Sequence, residues 1–126
     1  MQRRQIIQWG AASLAAPAFA AQAQSFPNKP IKLVIAFPAG GPTDITMRAL
    51  ADNASKILGQ TVIVENKPGA GGTLPAQALQ TVPADGYTVA QIPLGVFRLP
   101  YTTKINWDPV KDISYVLNVT GYAFGL

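Results

Sequence analysis

Ile31-Lys32-Leu33-Val34-Ile35-Ala36-Phe37-Pro38-Ala39-Gly40-Gly41-Pro42-Thr43-Asp44 is the stretch from which the fold can be read. Its first part is mostly apolar and rich in β-branched side chains. Such a run reads as a strand buried on both faces, and that means parallel and central. Pro38 to Pro42 stop it. Met47, Leu50, Ala51, Ala54, Ile57 and Leu58 then recur at helical spacing, with Arg48, Asp52 and Lys56 largely off that face. This is the pattern of an amphipathic helix. Either Pro42 takes the first helical position, or Thr43 caps the helix with Asp44 in its first turn. Both place the helix start directly after Gly40-Gly41. Gly59 reads as a left-handed C-terminal cap.

Working outward, residues 61–65 form a second β-branched run, and Asn66-Lys67-Pro68-Gly69-Ala70-Gly71-Gly72 is a second glycine loop. A helix over 73–81 follows, with Leu74, Ala78 and Val82 inward. Pro75 is tolerated there because the first turn has no intrahelical use for its missing donor. Residues 83–86 read as a turn and 87–92 as a third strand. The order β-α-β-α-β with right-handed crossovers makes an α/β sheet of the doubly wound class. Beyond Pro93 the pattern weakens. Residues 97–103 read as irregular or briefly helical and 108–112 as a turn or one helical turn. Residues 113–120 and 122–126 read as strands separated by Gly121.

Composition narrows the chemistry. The 126 residues include no cysteine and no histidine. That excludes disulfides, thiolate chemistry, histidine general bases and Cys- or His-ligated metal. The six acidic residues build no convincing carboxylate metal face. Ser13, Ser25, Ser55 and Ser114 are the only serines, and none sits in a nucleophile elbow. No catalytic group set and no cofactor motif emerges. Gly69-Ala70-Gly71-Gly72 lacks the spacing of a dinucleotide fingerprint, and no Walker sequence occurs.

The N-terminus reads as an export signal over residues 1–23. Arg3-Arg4 is followed by an uncharged, alanine-rich run that continues to Lys29. That run is too poor in leucine and valine to span a membrane comfortably. Ala18-Phe19-Ala20 and Ala21-Gln22-Ala23 are both cleavage patterns, and cleavage after Ala23 leaves a short polar lead-in. Arg3-Arg4 before Gln5-Ile6-Ile7 resembles a twin-arginine signal, with the general secretory route equally open. The alternative is a first amphipathic helix of the domain. Removal of the signal leaves eight basic and six acidic side chains, well mixed. No basic block of nucleic-acid type remains.

Ala39-Gly40-Gly41-Pro42-Thr43-Asp44 and Gly69-Ala70-Gly71-Gly72-Thr73 share one layout. Each follows a parallel strand and opens a helix, where orphan backbone donors and the helix dipole favour an anion. Both belong at the carboxyl edge of the sheet, the usual ligand side. Together they suit the two oxygens of a carboxylate, with Thr43 and Thr73 as additional hydroxyl donors. A side chain at Gly41 is expected to crowd the anion and to force the backbone. Asp44 serves the helix dipole, accepts from a ligand hydroxyl or ammonium, or orients a water. The competing reading is a pair of ordinary turns with helix caps.

Five motifs in order carry a resemblance over residues 24–126. They are Phe26-Pro27-Asn28-Lys29-Pro30-Ile31-Lys32, Phe37 to Asp44, Val64-Glu65-Asn66-Lys67-Pro68-Gly69-Ala70-Gly71-Gly72, Asp85-Gly86-Tyr87-Thr88, and Trp107-Asp108-Pro109-Val110-Lys111-Asp112. The chain resembles the substrate-binding proteins of the tripartite tricarboxylate transporter family, the Bordetella-type periplasmic receptors. The resemblance implies a periplasmic-binding-protein fold of type II, with two lobes closing on a hinge. It implies a small organic carboxylate ligand held between the two glycine loops, largely by backbone amides and water. It implies membrane transporter components, or a sensor, as partners, a monomeric parent and no cofactor. Residues 24–120 then correspond to the opening part of the first lobe, and 121–126 to the start of the crossing toward a second lobe absent from this sequence. A single lobe leaves its ligand solvated on one side. The apolar stretch Gln91-Ile92-Pro93-Leu94-Gly95-Val96-Phe97 departs from the Ser/Thr-rich loop of many relatives. Two other functions compete: an exported fragment without a ligand, and a piece of an α/β cofactor-binding enzyme.

The signal reading has a direct consequence. N-terminal sequencing of the periplasmic product is expected to begin at Gln24, with Ala21 as the second choice. A cytoplasmic product beginning at Met1 is the contrary result.

Overall fold

The computed structural model describes residues 25–119. The expected signal segment, and the expected strand at 122–126, lie outside the described residues. The element order is β1 (Ile31–Ile35), α1 (Pro42–Leu58), β2 (Val62–Asn66), a 3-10 turn (Ala70–Gly72), α2 (Leu74–Leu79), β3 (Thr88–Ala90), a second 3-10 turn (Leu94–Arg98) and α3 (Leu99–Thr102). β1 is central and pairs in parallel with both neighbours, so the strand order is β2-β1-β3. The chain steps from β1 to one side and then returns across it to the other. Right-handed crossovers in opposite directions require the two helices to cover opposite faces. Burial on β1 agrees: Ile31 and Ile35 are buried on one face and Val34 on the other.

The start of α1 resolves the two alternatives. Gly41 is the N-cap, Pro42 holds the first turn, and Gly59 closes the helix in the left-handed region with φ 67°. The apolar stripe of α1 is buried less widely than its spacing implies. Met47 and Ala51 are buried, whereas Leu50, Leu58 and above all Ile57 are exposed. A strand pair offers a helix only a narrow seat, and the described residues supply no further element against the rest of the stripe. In α2 the buried residues are Pro75 and Ala76. Leu74, Ala78 and Val82, expected inward, are half-buried. α2 is also shorter than expected, because after Leu79 the chain tightens: Gln80 N–H and Thr81 N–H donate three residues back, to Gln77 O and Ala78 O at 3.1 and 3.2 Å.

Residues 113–119 form no strand. A strand needs a ladder partner, and among the described residues none pairs with this segment. Tyr115, Val116, Leu117 and Val119 are exposed. The 108–112 turn is as expected, with Lys111 N–H and Asp112 N–H both donating to Asp108 O at 3.2 and 2.8 Å.

The polar lead-in proves to be a docked segment. The Phe26 and Tyr87 rings lie 5.0 Å apart, and the Lys29 ammonium sits 4.2 Å from the Tyr87 ring centre. Tyr87 O–H donates to Asn28 Oδ1 at 2.7 Å, and Asn28 N–H donates to Tyr87 Oη at 2.9 Å. Two of the sequence motifs are thus partners in space, 26–32 and 85–88.

Gly72 lies where the chain passes from β2 over the end of β1. Its φ is 85°, and a Cβ there would stand 3.2 Å from Pro93 Cγ and 3.5 Å from Ala36 Cβ. Gly72→Ala therefore combines backbone strain with crowding. It is expected to cost on the order of 1–3 kcal/mol, read as a lowered urea midpoint; an unchanged midpoint contradicts this packing.

Candidate functional site

The carboxyl ends of the strands carry three connections that meet over β1. The first glycine loop leaves β1, and the second leaves β2. The second crosses β1, placing Gly72 against Ala36 and Pro93 and the Gly71 carbonyl against Gly95. The third is the 91–97 segment after β3. Its Gln91 Oε1 accepts from Ala36 N–H at 3.3 Å, and Gln91 N–H donates to Val34 O at 2.8 Å. The apolar stretch singled out in the sequence therefore braces the second glycine loop and the end of β1 from which the first loop leaves.

In the first loop, Ala39 and Gly40 are exposed and Gly41 and Thr43 are half-buried. Gly40 has φ 82°, a left-handed value that favours glycine. Gly41 does not: its φ of −78° and ψ of 166° suit any residue, and a Cβ would meet only Pro38 O at 3.5 Å. The backbone penalty expected at Gly41 is thus absent, and only the space in front of it remains to be crowded. The first turn of a helix leaves its early N–H groups without intrahelical acceptors. Here Pro42 has no N–H to offer, and Ile45 N–H is the first that reaches back, to Gly41 O at 3.0 Å.

Asp44 is buried behind this loop, at 3% exposure. Its carboxylate is enclosed by donors. Gly40 N–H donates to Oδ2 at 2.8 Å, Asn66 Nδ2–H to Oδ1 at 2.8 Å, and Arg48 Nε–H lies 3.0 Å from both oxygens. The Arg48 hydrogen bond, then those from Gly40 and Asn66, hold its pKa down at about 2 against an ordinary 3.8.

In the second loop, Gly69, Ala70 and Gly71 are exposed, whereas Gly72 and Thr73 are buried. Gly72 N–H donates to Gly69 O at 2.8 Å, and Thr73 N–H to Ala70 O at 3.3 Å. Thr73 also donates its hydroxyl proton to Ala70 O at 2.8 Å. That proton is committed to shaping the loop. Ala70 itself takes a positive φ of 45°.

Both glycine loops leave the carboxyl edge of the sheet from neighbouring strands, with Ala39, Gly40, Gly69, Ala70 and Gly71 exposed there, Gly41 and Thr43 half-buried, and Asp44, Gly72 and Thr73 buried. Sequence reasoning missed Asn66 and Arg48 as members of the cluster. A signal was present for Arg48, which stands four residues after Asp44, the helical ion-pair spacing. Nothing local marked Asn66. Among the described residues no acidic group clusters as a metal site. A hollow of about 680 Å³ elsewhere, between α2 and residues 104–107, shares no lining residue with either loop.

A parallel α/β unit of this kind occurs in periplasmic binding proteins, and known proteins similar to this chain are of that type. The family model described as "Tripartite tricarboxylate transporter family receptor" matches residues 46–126. The chain belongs to this family. It is 62% identical, over its whole length, to the "UPF0065 protein in gbd 5'region" of Cupriavidus necator, and spans 41% of that protein. It is 42% identical to protein BugT of Bordetella pertussis over 83% of this chain and 34% of BugT. Among solved structures, MatC from Rhodopseudomonas palustris with bound malate aligns with a TM-score of 0.59 and 35% identity, over 67% of this chain and 29% of MatC. A TctC solute-binding protein from Polaromonas aligns with a TM-score of 0.58 and 39% identity, over 64% of this chain and 28% of its own.

Asp44 yields a test with a defined sign. A carboxylate whose pKa is depressed on folding adds stability above its ordinary pKa and loses it as pH falls through the folded value. Asp44→Asn is expected to melt below the parent at neutral pH. The gap between the two closes as pH falls from 3.8 toward about 2. Circular dichroism melts across that range check it; a gap that does not depend on pH contradicts the charge assignment.

Proposed function

We propose that this protein is an exported, periplasmic receptor that captures a small organic carboxylate for the membrane components of a tripartite tricarboxylate transporter. The observation that carries the reading is that two glycine loops leave neighbouring parallel strands at the same edge of the sheet, each just before a helix. Ala39, Gly40, Gly41 and Thr43 supply one side of the anion site, and Gly69, Ala70 and Gly71 the other. Asp44, Gly72 and Thr73 shape it from behind. Backbone amides are suited to this task because they carry no net charge to desolvate and are aimed by the fold before the ligand arrives. The malate held by MatC supports the ligand class. The mixed, nearly balanced surface charge favours a small ligand over nucleic acid. The work is binding rather than catalysis, by a monomer without a cofactor. The second face of the ligand belongs to a second lobe, whose closure excludes water from the polar contacts.

Gly41→Val separates binding from folding, because the backbone there accepts a side chain. In the whole receptor the variant is expected to melt like the parent. It is expected to lose several kcal/mol of carboxylate affinity, roughly two or three charge-assisted hydrogen bonds. Calorimetric titration with malate and a panel of mono- and dicarboxylates measures it. Parent-like affinity in the folded variant removes Gly41 from the site, and absence of any carboxylate binding by the parent removes the reading.

A further inference from the structure

Two loops hold one small anion well only when their spacing is fixed to about half an ångström. The sheet fixes it up to the pair Ile35 and Asn66, where the β1–β2 register ends. One backbone tie follows, Lys67 N–H to Ile35 O at 2.8 Å. Beyond it the second loop packs on Pro93 and Gly95, and its hydrogen-bonded link to the first loop comes from one side chain. Asn66 is the last residue of β2, so the second loop grows from its backbone. Its carboxamide reaches the first loop. Asn66 Nδ2–H donates to Phe37 O at 3.0 Å and to Asp44 Oδ1 at 2.8 Å, while Oδ1 accepts from Arg48 Nη2–H at 2.9 Å. Among the described residues, no other side-chain hydrogen bond joins the two glycine loops.

We propose that Asn66 is a positioning residue that sets the separation of the two glycine loops without itself contacting the ligand. The inference rests on the carboxylate-binding reading of those loops. The chemistry asks for a carboxamide. The side chain must donate to a carbonyl and to a carboxylate while accepting from a guanidinium. Asn66→Asp keeps the shape and reverses this. It sets a carboxylate against the Asp44 carboxylate and the Phe37 carbonyl, and like charges so placed raise one pKa strongly. On protonation the new acid regains an O–H donor, so the defect reverses on acidification. The charged groups facing position 66 are Asp44 and Arg48 of α1. Its β2 neighbour Glu65 is engaged by Lys32 and Lys67 at 2.9 and 3.2 Å, and residues 37–42 carry no charge.

The experiment compares the parent, Asn66→Asp and the double variant Asp44→Asn/Asn66→Asp in the whole receptor. It uses malate titration and, without ligand, amide hydrogen exchange at Gly40, Thr43 and Gly69 to Gly71. At about pH 8, Asn66→Asp is expected to exchange faster at Gly40 and to bind malate on the order of tenfold more weakly. Both defects shrink toward about pH 6, and the double variant regains most of the loss at the higher pH. A merely structural role predicts a loss that ignores pH and the second substitution; that result, or parent-like behaviour throughout, overturns the proposal. If Asn66→Asp melts without cooperativity, Asn66→Ala removes the donors without adding charge, and parent-like exchange and affinity there also overturn it. A parent that binds no carboxylate while the exchange pattern holds refutes the carboxylate reading and leaves the positioning role intact.

Discussion

A buried carboxylate must have its charge answered on every side, and Asp44 is the point around which this end of the molecule is arranged. Burial alone would push its pKa up, yet donors from three parts of the chain hold it at about 2. Gly40 comes from the loop before the helix, Arg48 from the next turn of the helix and Asn66 from the end of the neighbouring strand. The interaction thus joins loop, helix and sheet at one place. It also explains a glycine. The Gly40 amide can turn toward Asp44 at a φ of 82° only because no Cβ resists it.

Much of this was legible in residue order. The apolar, β-branched run at 31–37 gives a strand over Ile31–Ile35, two residues shorter than its apolar run, whereas the Gly-Gly-Pro helix start and the Gly59 cap, which depend on local preferences, appear where their chemistry requires. β2 differs from its expected limits by a single residue at each end, because ladder pairing with β1 continues to Asn66. Residues 113–119 show what composition cannot decide. Val116, Leu117 and Val119 have strand character, but character does not supply a partner, and the segment lies exposed. The site divides along the same line. Glycines at loop positions announce themselves, whereas Asn66 acquires its role from a contact across 22 positions of sequence.

The motifs that identify the family have a physical basis in pairing. The Phe26 to Lys29 lead-in and the Asp85 to Tyr87 turn form one cluster of a tilted ring contact, hydrogen bonds and the Lys29–Asp85 ion pair at 3.1 Å. That ion pair is exposed and contributes little by itself; the aromatic contact and the hydroxyl hold the segment. Gly72 belongs to a second such set with Ala36 and Pro93. Several residues of these motifs therefore build the frame of the domain.

An acidic residue buried behind the proposed anion site looks self-defeating, since both charges compete for the same helix dipole. The geometry separates them. Asp44 takes the Gly40 amide from behind, whereas the early amides of α1 at Thr43 and Asp44 have no acceptor within the helix. Arg48 lies against both oxygens of Asp44 and keeps 47% of its side chain in solvent. The guanidinium is permanently charged, and the depressed pKa of Asp44 keeps its partner ionised at every physiological pH. Their sum is close to neutral across the physiological range. On the proposed reading, a ligand carboxylate therefore meets backbone donors that are already aimed, next to an internal charge already cancelled.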